Sequence, residues 1–147
     1  MRILILEDDD NRNSTFQRNF CSEQTEVVIV KEAIHAINYL NNEKWTVLFL
    51  DHDLGGAVHV AETEENTGSA VARWINSNPE KEPEIVIIHS LNESGRNNMK
   101  RLIPKAIIFP FAWMKLNSYA LISNATQLDL HKLASDQMYR LETYGKL

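Results

Sequence analysis

Only one cysteine, Cys21, occurs in the sequence, so no disulfide can form within it, and a reducing, cytoplasmic setting is expected. Four prolines and five glycines in 147 residues are too few for a linker-rich or low-complexity chain. No apolar run approaches the ~18 residues of a membrane span. The opening "MRILILEDDD" turns acidic too soon for a signal peptide. Basic residues are also scarce: 15 Lys and Arg against 20 Asp and Glu leave a formal charge of −5. That balance argues against a long basic surface for duplex DNA. What remains is 44% hydrophobic and 24% charged, an ordinary globular composition. It reads as a single domain over residues 1–147, with a core over about 1–110 and a helical segment over about 111–147.

Five short apolar runs punctuate the chain: "RILIL" (2–6), "EVVIV" (26–30), "TVLFL" (46–50), "EIVII" (84–88) and "AIIF" (106–109). Each is nearly continuous rather than alternating, as expected of parallel strands covered on both faces. Helical stripes lie between them: Phe16 and Phe20; Ala33, Ala36, Ile37 and Leu40; Ala70, Val71 and Trp74; Met99, Leu102 and Ile103. Ser94 is the expected N-cap of the fourth helix. A further helix is expected from about Thr126, with Leu130, Leu133, Ala134, Met138 and Leu141 on its apolar face. Trp45, Trp74 and Trp113 are expected at or near the core. Strict alternation of strand and helix predicts a three-layer α/β sandwich, its five-stranded parallel sheet in the flavodoxin-like order 2-1-3-4-5.

That order places the C-terminal ends of strands 1, 3 and 4 around one crevice. Strand 1 ends in Glu7, Asp8, Asp9 and Asp10; strand 3 in Asp51, His52 and Asp53; strand 4 in His89 and Ser90. Strand 2 ends in an unremarkable Lys31-Glu32. "DHD" therefore reads as a site floor rather than a turn. Crowded carboxylates repel unless protons or a cation intervene, and a hard divalent ion suits oxygen ligands. Asp8, Asp9 and Asp51 are the candidate ligands for Mg2+ or Mn2+. Set against this, acids at the start of a helix are also favoured by its dipole.

An acidic pair after strand 1, an Asp ending strand 3 and a Ser ending strand 4 resemble a response-regulator receiver domain. In receivers the acidic pair and a phosphoacceptor Asp hold Mg2+, and the Ser or Thr contacts the phosphoryl group. The resemblance implies these roles for Asp8 with Asp9, Asp51 and Ser90, and matches Gly68 to the Gly opening the third helix. A receiver has a Lys before the Pro that follows strand 5; here the dipeptide is Phe109-Pro110. The loop 54–67 is also long, and His52 and His89 are unusual. These departures, with "LDHDLGG", "TGSAVARWI" and "HSLNESGRNNMKRL", are similar to the cyclic-phosphate-processing receivers. That resemblance implies action on a cyclic nucleotide or an RNA end bearing a cyclic phosphate.

The residues can support such chemistry. Hydrolysis of a cyclic phosphodiester needs a base, an acid and stabilised equatorial oxygens. His52 and His89, with Asp51 and Asp53, are the catalytic candidates, the two imidazoles being expected at the crevice mouth. The competing reading makes each histidine structural. Ser90, Asn92, Gly95 and Arg96 are the phosphate-binding candidates, through side chains and the N–H groups opening helix four. His35, His59 and His131 are expected at the surface. The alternative function is a phospho-signalling or silent receiver that works by binding a separate protein partner. A dehalogenase-type D-x-D phosphatase is disfavoured, because its motif follows the first strand and this one follows the third.

Overall fold

The computed structural model describes residues 1–20 and 22–114, together with Tyr119 and Ile122. Five parallel strands form one sheet in the order β2-β1-β3-β4-β5. They are β1 (Arg2–Leu6), β2 (Glu26–Val30), β3 (Val47–Leu50), β4 (Ile85–Ile88) and β5 (Ile107–Ile108). Helices α1 (Asp10–Phe20), α2 (Ala33–Asn42), α3 (Gly68–Ser77) and α4 (Glu93–Leu102) connect them. The strands coincide with the apolar runs, and the order is the one predicted. The helix expected from Thr126 lies outside the described residues.

Side chains alternate across the sheet with a period of two, and this divides the core in two. Leu4, Leu6, Leu48, Leu50, Val86 and Ile88 pack on α2, α3 and α4 through Leu40, Val71, Ile75, Met99 and Ile103. Ile3, Ile5, Val47, Phe49, Ile87 and Ile107 pack on the other face against Phe16 and Phe20 of α1, with Tyr119 and Ile122. The register Ile5↔Phe49 and Phe49↔Ile87 fixes this division. A slip of one residue would exchange the two faces. The same register brings the ends of β1, β3 and β4 level, so that Glu7, Asp51 and His89 leave the sheet side by side.

Two local expectations are corrected. The N-cap of α4 is Asn92, whose Oδ1 accepts the Gly95 N–H at 2.9 Å, and Ser94 lies inside the first turn. Asn and Ser both cap well, and the exit path of β4 decides which residue stands at that point. Trp113 is 42% exposed, whereas Trp45 is buried with its indole N–H donating to the Tyr39 carbonyl. Trp113 ends a short 3-10 turn (Phe111–Trp113) beyond the sheet, touching Phe109 with one edge of its ring. Among the described residues no helix is long and apolar enough to cross a membrane.

Candidate functional site

A cleft of about 410 Å³ opens at the C-terminal end of the sheet. Its lining includes Asp8, Asp9, Asp10, Arg12, Asp51, Asp53, Ser90 and Asn92. One carboxylate oxygen each from Glu7, Asp8 and Asp51 lie within 4.8 Å of one another. This is a group of hard oxygen donors that could hold a divalent cation. Asp8 and Asp51 were expected in it; Glu7 takes the place expected of Asp9. Asp9 is held elsewhere: its Oδ1 accepts the Arg12 N–H at 2.9 Å at the start of α1.

Glu7 is fully buried, and its carboxylate is surrounded by donors. Oε1 accepts the Asp9 N–H at 2.9 Å, while Oε2 lies 3.0 Å from His89 Nε2 and 3.2 Å from Arg12 Nη1. Burial pushes this carboxyl up, but the His89 hydrogen bond and charge, the Asp9 amide and Arg12 outweigh it and hold it below the usual range. Asp51 goes the other way. Burial, reinforced by the charge of Glu7, lifts its carboxyl above the usual value despite the Ser90 hydroxyl and the His52 amide. Asp51 Oδ1 accepts the His52 N–H at 2.7 Å, and Oδ2 lies 3.5 Å from Arg12 Nη1. Two neighbouring carboxyls thus differ because one has more compensating donors.

Asp53 fastens the loop between β3 and α3. It accepts N–H groups from His59 at 2.8 Å and Val60 at 3.0 Å, and the Asn92 amide at 2.8 Å. Burial raises its carboxyl, but Asn92, His52 and the two loop amides bring it below the usual value. The same loop is tied to Asp8 by the Gly56 N–H, 2.7 Å from Oδ2. Gly55 and Gly56 both take φ +73, a left-handed conformation that costs glycine little.

Both candidate histidines lie beneath the floor rather than at the mouth, which corrects their expected placement. Each is completely buried, and neither lines the cleft. The His89 ring sits edge-on to Phe16 and Phe49 and points its Nε2 at Glu7. His52 Nδ1 lies 3.0 Å from Asp53 Oδ1 and 3.3 Å from Asn92 Nδ2. The ring is seated on Gly95, where an added Cβ would come within 2.2 Å of its Cγ. Gly68 opens α3 as expected, and it lies so near β3 that a Cβ there would meet the Asp51 carbonyl at 2.1 Å. The turn after β3 is thus tightly held between α3 and α4.

Among the phosphate candidates, Ser90 and Asn92 line the cleft. Gly95 does not, because its N–H is taken by the Asn92 cap. Arg96 is half-buried on α4 and is not part of the lining. The cation that does line the cleft is Arg12, which sequence reasoning missed. Its signal was its place in the first turn of α1, five residues after Glu7. The Arg12 guanidinium also lies 5.7 Å from the centroid of the Phe111 ring. His35 and His59 are exposed, as expected.

The parallel 2-1-3-4-5 sheet with an acidic cleft at β1, β3 and β4 defines a receiver-like protein. Solved structures agree. The chain resembles the signal receiver domain of a LuxO-type repressor protein from Vibrio parahaemolyticus, at 21% identity and TM-score 0.64, covering 90% of this chain and 92% of that one. It also resembles the phosphorylated cyanobacterial phytochrome response regulator RcpA, at 18% identity and TM-score 0.62, covering 92% and 94%. A third likeness is the Mn2+-bound form of response regulator Rcp1, at 16% identity and TM-score 0.60, covering 92% of each chain. At such identities these likenesses establish the fold. No curated protein matches. The model of the cyclic-phosphate processing receiver domain family matches residues 2–105, and the chain belongs to that family.

Proposed function

We propose that the cleft binds Mg2+ or Mn2+ and hydrolyses a cyclic phosphodiester on a nucleotide or an RNA end. The observation that carries this reading is the convergence of Glu7, Asp8 and Asp51 with Arg12 and Ser90 in one cleft. The description of the matching family supports a cyclic phosphate as substrate, and a receiver of the same fold is described in its Mn2+-bound form. The donor set fits such an ion. It is all oxygen, and the raised carboxyl of Asp51 reflects negative charge crowded into a buried place. Glu7, Asp8 and Asp51 would hold the ion. When bound, it supplies positive charge at the phosphoryl oxygens and makes water more acidic.

The chain's own groups do the rest. Hydrolysis forms one P–O bond to water and breaks one ring P–O bond, and the leaving oxygen gains a proton. Asp51 would hold the ion beside the phosphoryl group, and the proton released by the attacking water ends on the leaving oxygen. Ser90, hydrogen bonded to Asp51, and Asn92 stand on the wall that would face the phosphoryl oxygens. His89 acts through Glu7 and His52 through Asp53, so both are positioning residues. The test is a screen of cyclic mononucleotides, cyclic dinucleotides and RNA with a 2′,3′-cyclic end, with Mg2+ or Mn2+. Turnover that Asp51→Asn abolishes supports the reading; no turnover with any substrate and ion sinks it.

A second reading, a phospho-signalling receiver acting through a protein partner, draws on the phosphorylated state of one structural neighbour. Against it, position 109 is a buried phenylalanine rather than a cation. Incubation with acetyl phosphate followed by intact-mass analysis separates the two. A stable, stoichiometric acyl phosphate on Asp51 would favour signalling.

A further inference from the structure

We propose that Arg12 is the phosphate-receiving cation of the cleft, and that it exchanges partners: guanidinium on carboxylates without a bound divalent ion, guanidinium on phosphate with one. The inference rests on the proposed reading of the cleft and adds to it the residue that holds the anion.

Three observations carry it. Among the described residues, Arg12 is the one cationic side chain lining the cleft, amid five aspartates. Arg96, in the first turn of α4, is not part of the lining, and other described cations have partners of their own. Lys31 is on Asp10 at 2.6 Å, Lys100 donates to the Pro104 and Ala106 carbonyls, and Arg73 holds the Glu62 and Glu64 carbonyls. Second, Arg12 Nη1 sits between the two buried carboxylates, 3.2 Å from Glu7 Oε2 and 3.5 Å from Asp51 Oδ2. It therefore contacts two of the three carboxylates that could hold a divalent ion. Third, its reach is constrained but its head is not buried. The backbone is held by Asp9 and the guanidinium lies by Phe111, while the side chain remains 29% exposed toward the cleft.

Charge decides the consequence. Three ionised carboxylates are balanced by a divalent ion together with one guanidinium, and by neither alone. A planar guanidinium displaced from Glu7 and Asp51 keeps several N–H donors suited to phosphate oxygens. Metal and phosphate binding are thereby coupled through one side chain.

The coupling can be read without any turnover. Mg2+ and then inorganic phosphate are titrated into 15N-labelled protein, following the amides of Gly56, Leu91 and Asn92. In Arg12→Gln, phosphate binding to the Mg2+-loaded protein should weaken about tenfold or more. Mg2+ binding in the same variant should tighten, because a competing cation has gone. Arg12→Lys should retain part of the phosphate affinity, and Arg96→Gln should match wild type in both. A merely structural role would weaken both ligands together, and that outcome overturns the proposal. So would unchanged phosphate binding in Arg12→Gln, or a wild-type protein that does not respond to phosphate at saturating Mg2+. Failure here leaves the turnover screen to judge hydrolysis independently.

Discussion

The two ends of the sheet carry charge in opposite ways. At the N-terminal end, Arg2 pairs with Glu26 and Glu43 near solvent and lies over the buried Trp45. At the C-terminal end, Glu7, Asp51, His52 and His89 are almost wholly buried. Exposed pairs exchange water for one another at little net gain, whereas buried ones are costly unless every partner is in place. Electrostatics at the first end decorate the fold; at the second they constrain it.

The contrast breaks most visibly at His89. Removing its ring strands the buried Glu7 and opens space beside Phe16 and Phe49, so His89→Ala should cost about 3–5 kcal/mol by urea denaturation. The pH profile carries the same information. Glu7 has its carboxyl held below the ordinary 4.5, so its contribution is present above that value and lost as pH falls through the lower folded one. In His89→Ala that acid-dependent loss should shrink; an unchanged profile would mean His89 does not hold Glu7. Next in size is Gly95→Ala, which drives a methyl into the buried His52 ring and should cost about 1–3 kcal/mol. A silent Gly95→Ala would show that the ring can move.

Asp51→Asn should act in the opposite direction. Its carboxyl is raised above the ordinary 3.8, so ionisation in the folded state is a penalty, absent below that value and full above the raised one. Without added cation at pH 7, the variant should be more stable than wild type, read as a rise in Tm. Saturating Mg2+ should erase the advantage, since wild type alone keeps the third carboxylate. A loss of stability in cation-free buffer would show that Arg12 already neutralises Asp51. The smallest effect belongs to the other end: Glu43→Gln should leave Tm within the scatter of wild type. A clear drop there would erase the contrast between the two ends.

The site was legible to the extent that strand ends are legible. Asp51 and Ser90 could be placed because β3 and β4 are unbroken apolar runs whose last residues are unmistakable. Glu7 was misjudged because a run of four acids does not say which carboxylate turns inward; the Asp9 amide, Arg12 and His89 decide that. Arg96 was the cation the sequence offered for the phosphate, and on α4 it does not line the cleft, whereas Arg12 does.

By itself the sequence determined the order of strands and helices, the burial of the sheet on both faces, and the acidic character of one end. These follow from periodicity and from local apolar runs, which are properties of neighbouring residues. The tertiary structure alone decided that the imidazoles lie under the floor, that Asp9 caps a helix while Glu7 faces His89, and that Arg12 reaches two carboxylates. The burial of the imidazoles and the reach of Arg12 to Asp51 depend on contacts between residues far apart in the chain, as do Glu7 with His89 and Asn92 with Asp53. Hydrogen bonding there depends on tenths of an ångström, which parallel strand packing sets and composition does not.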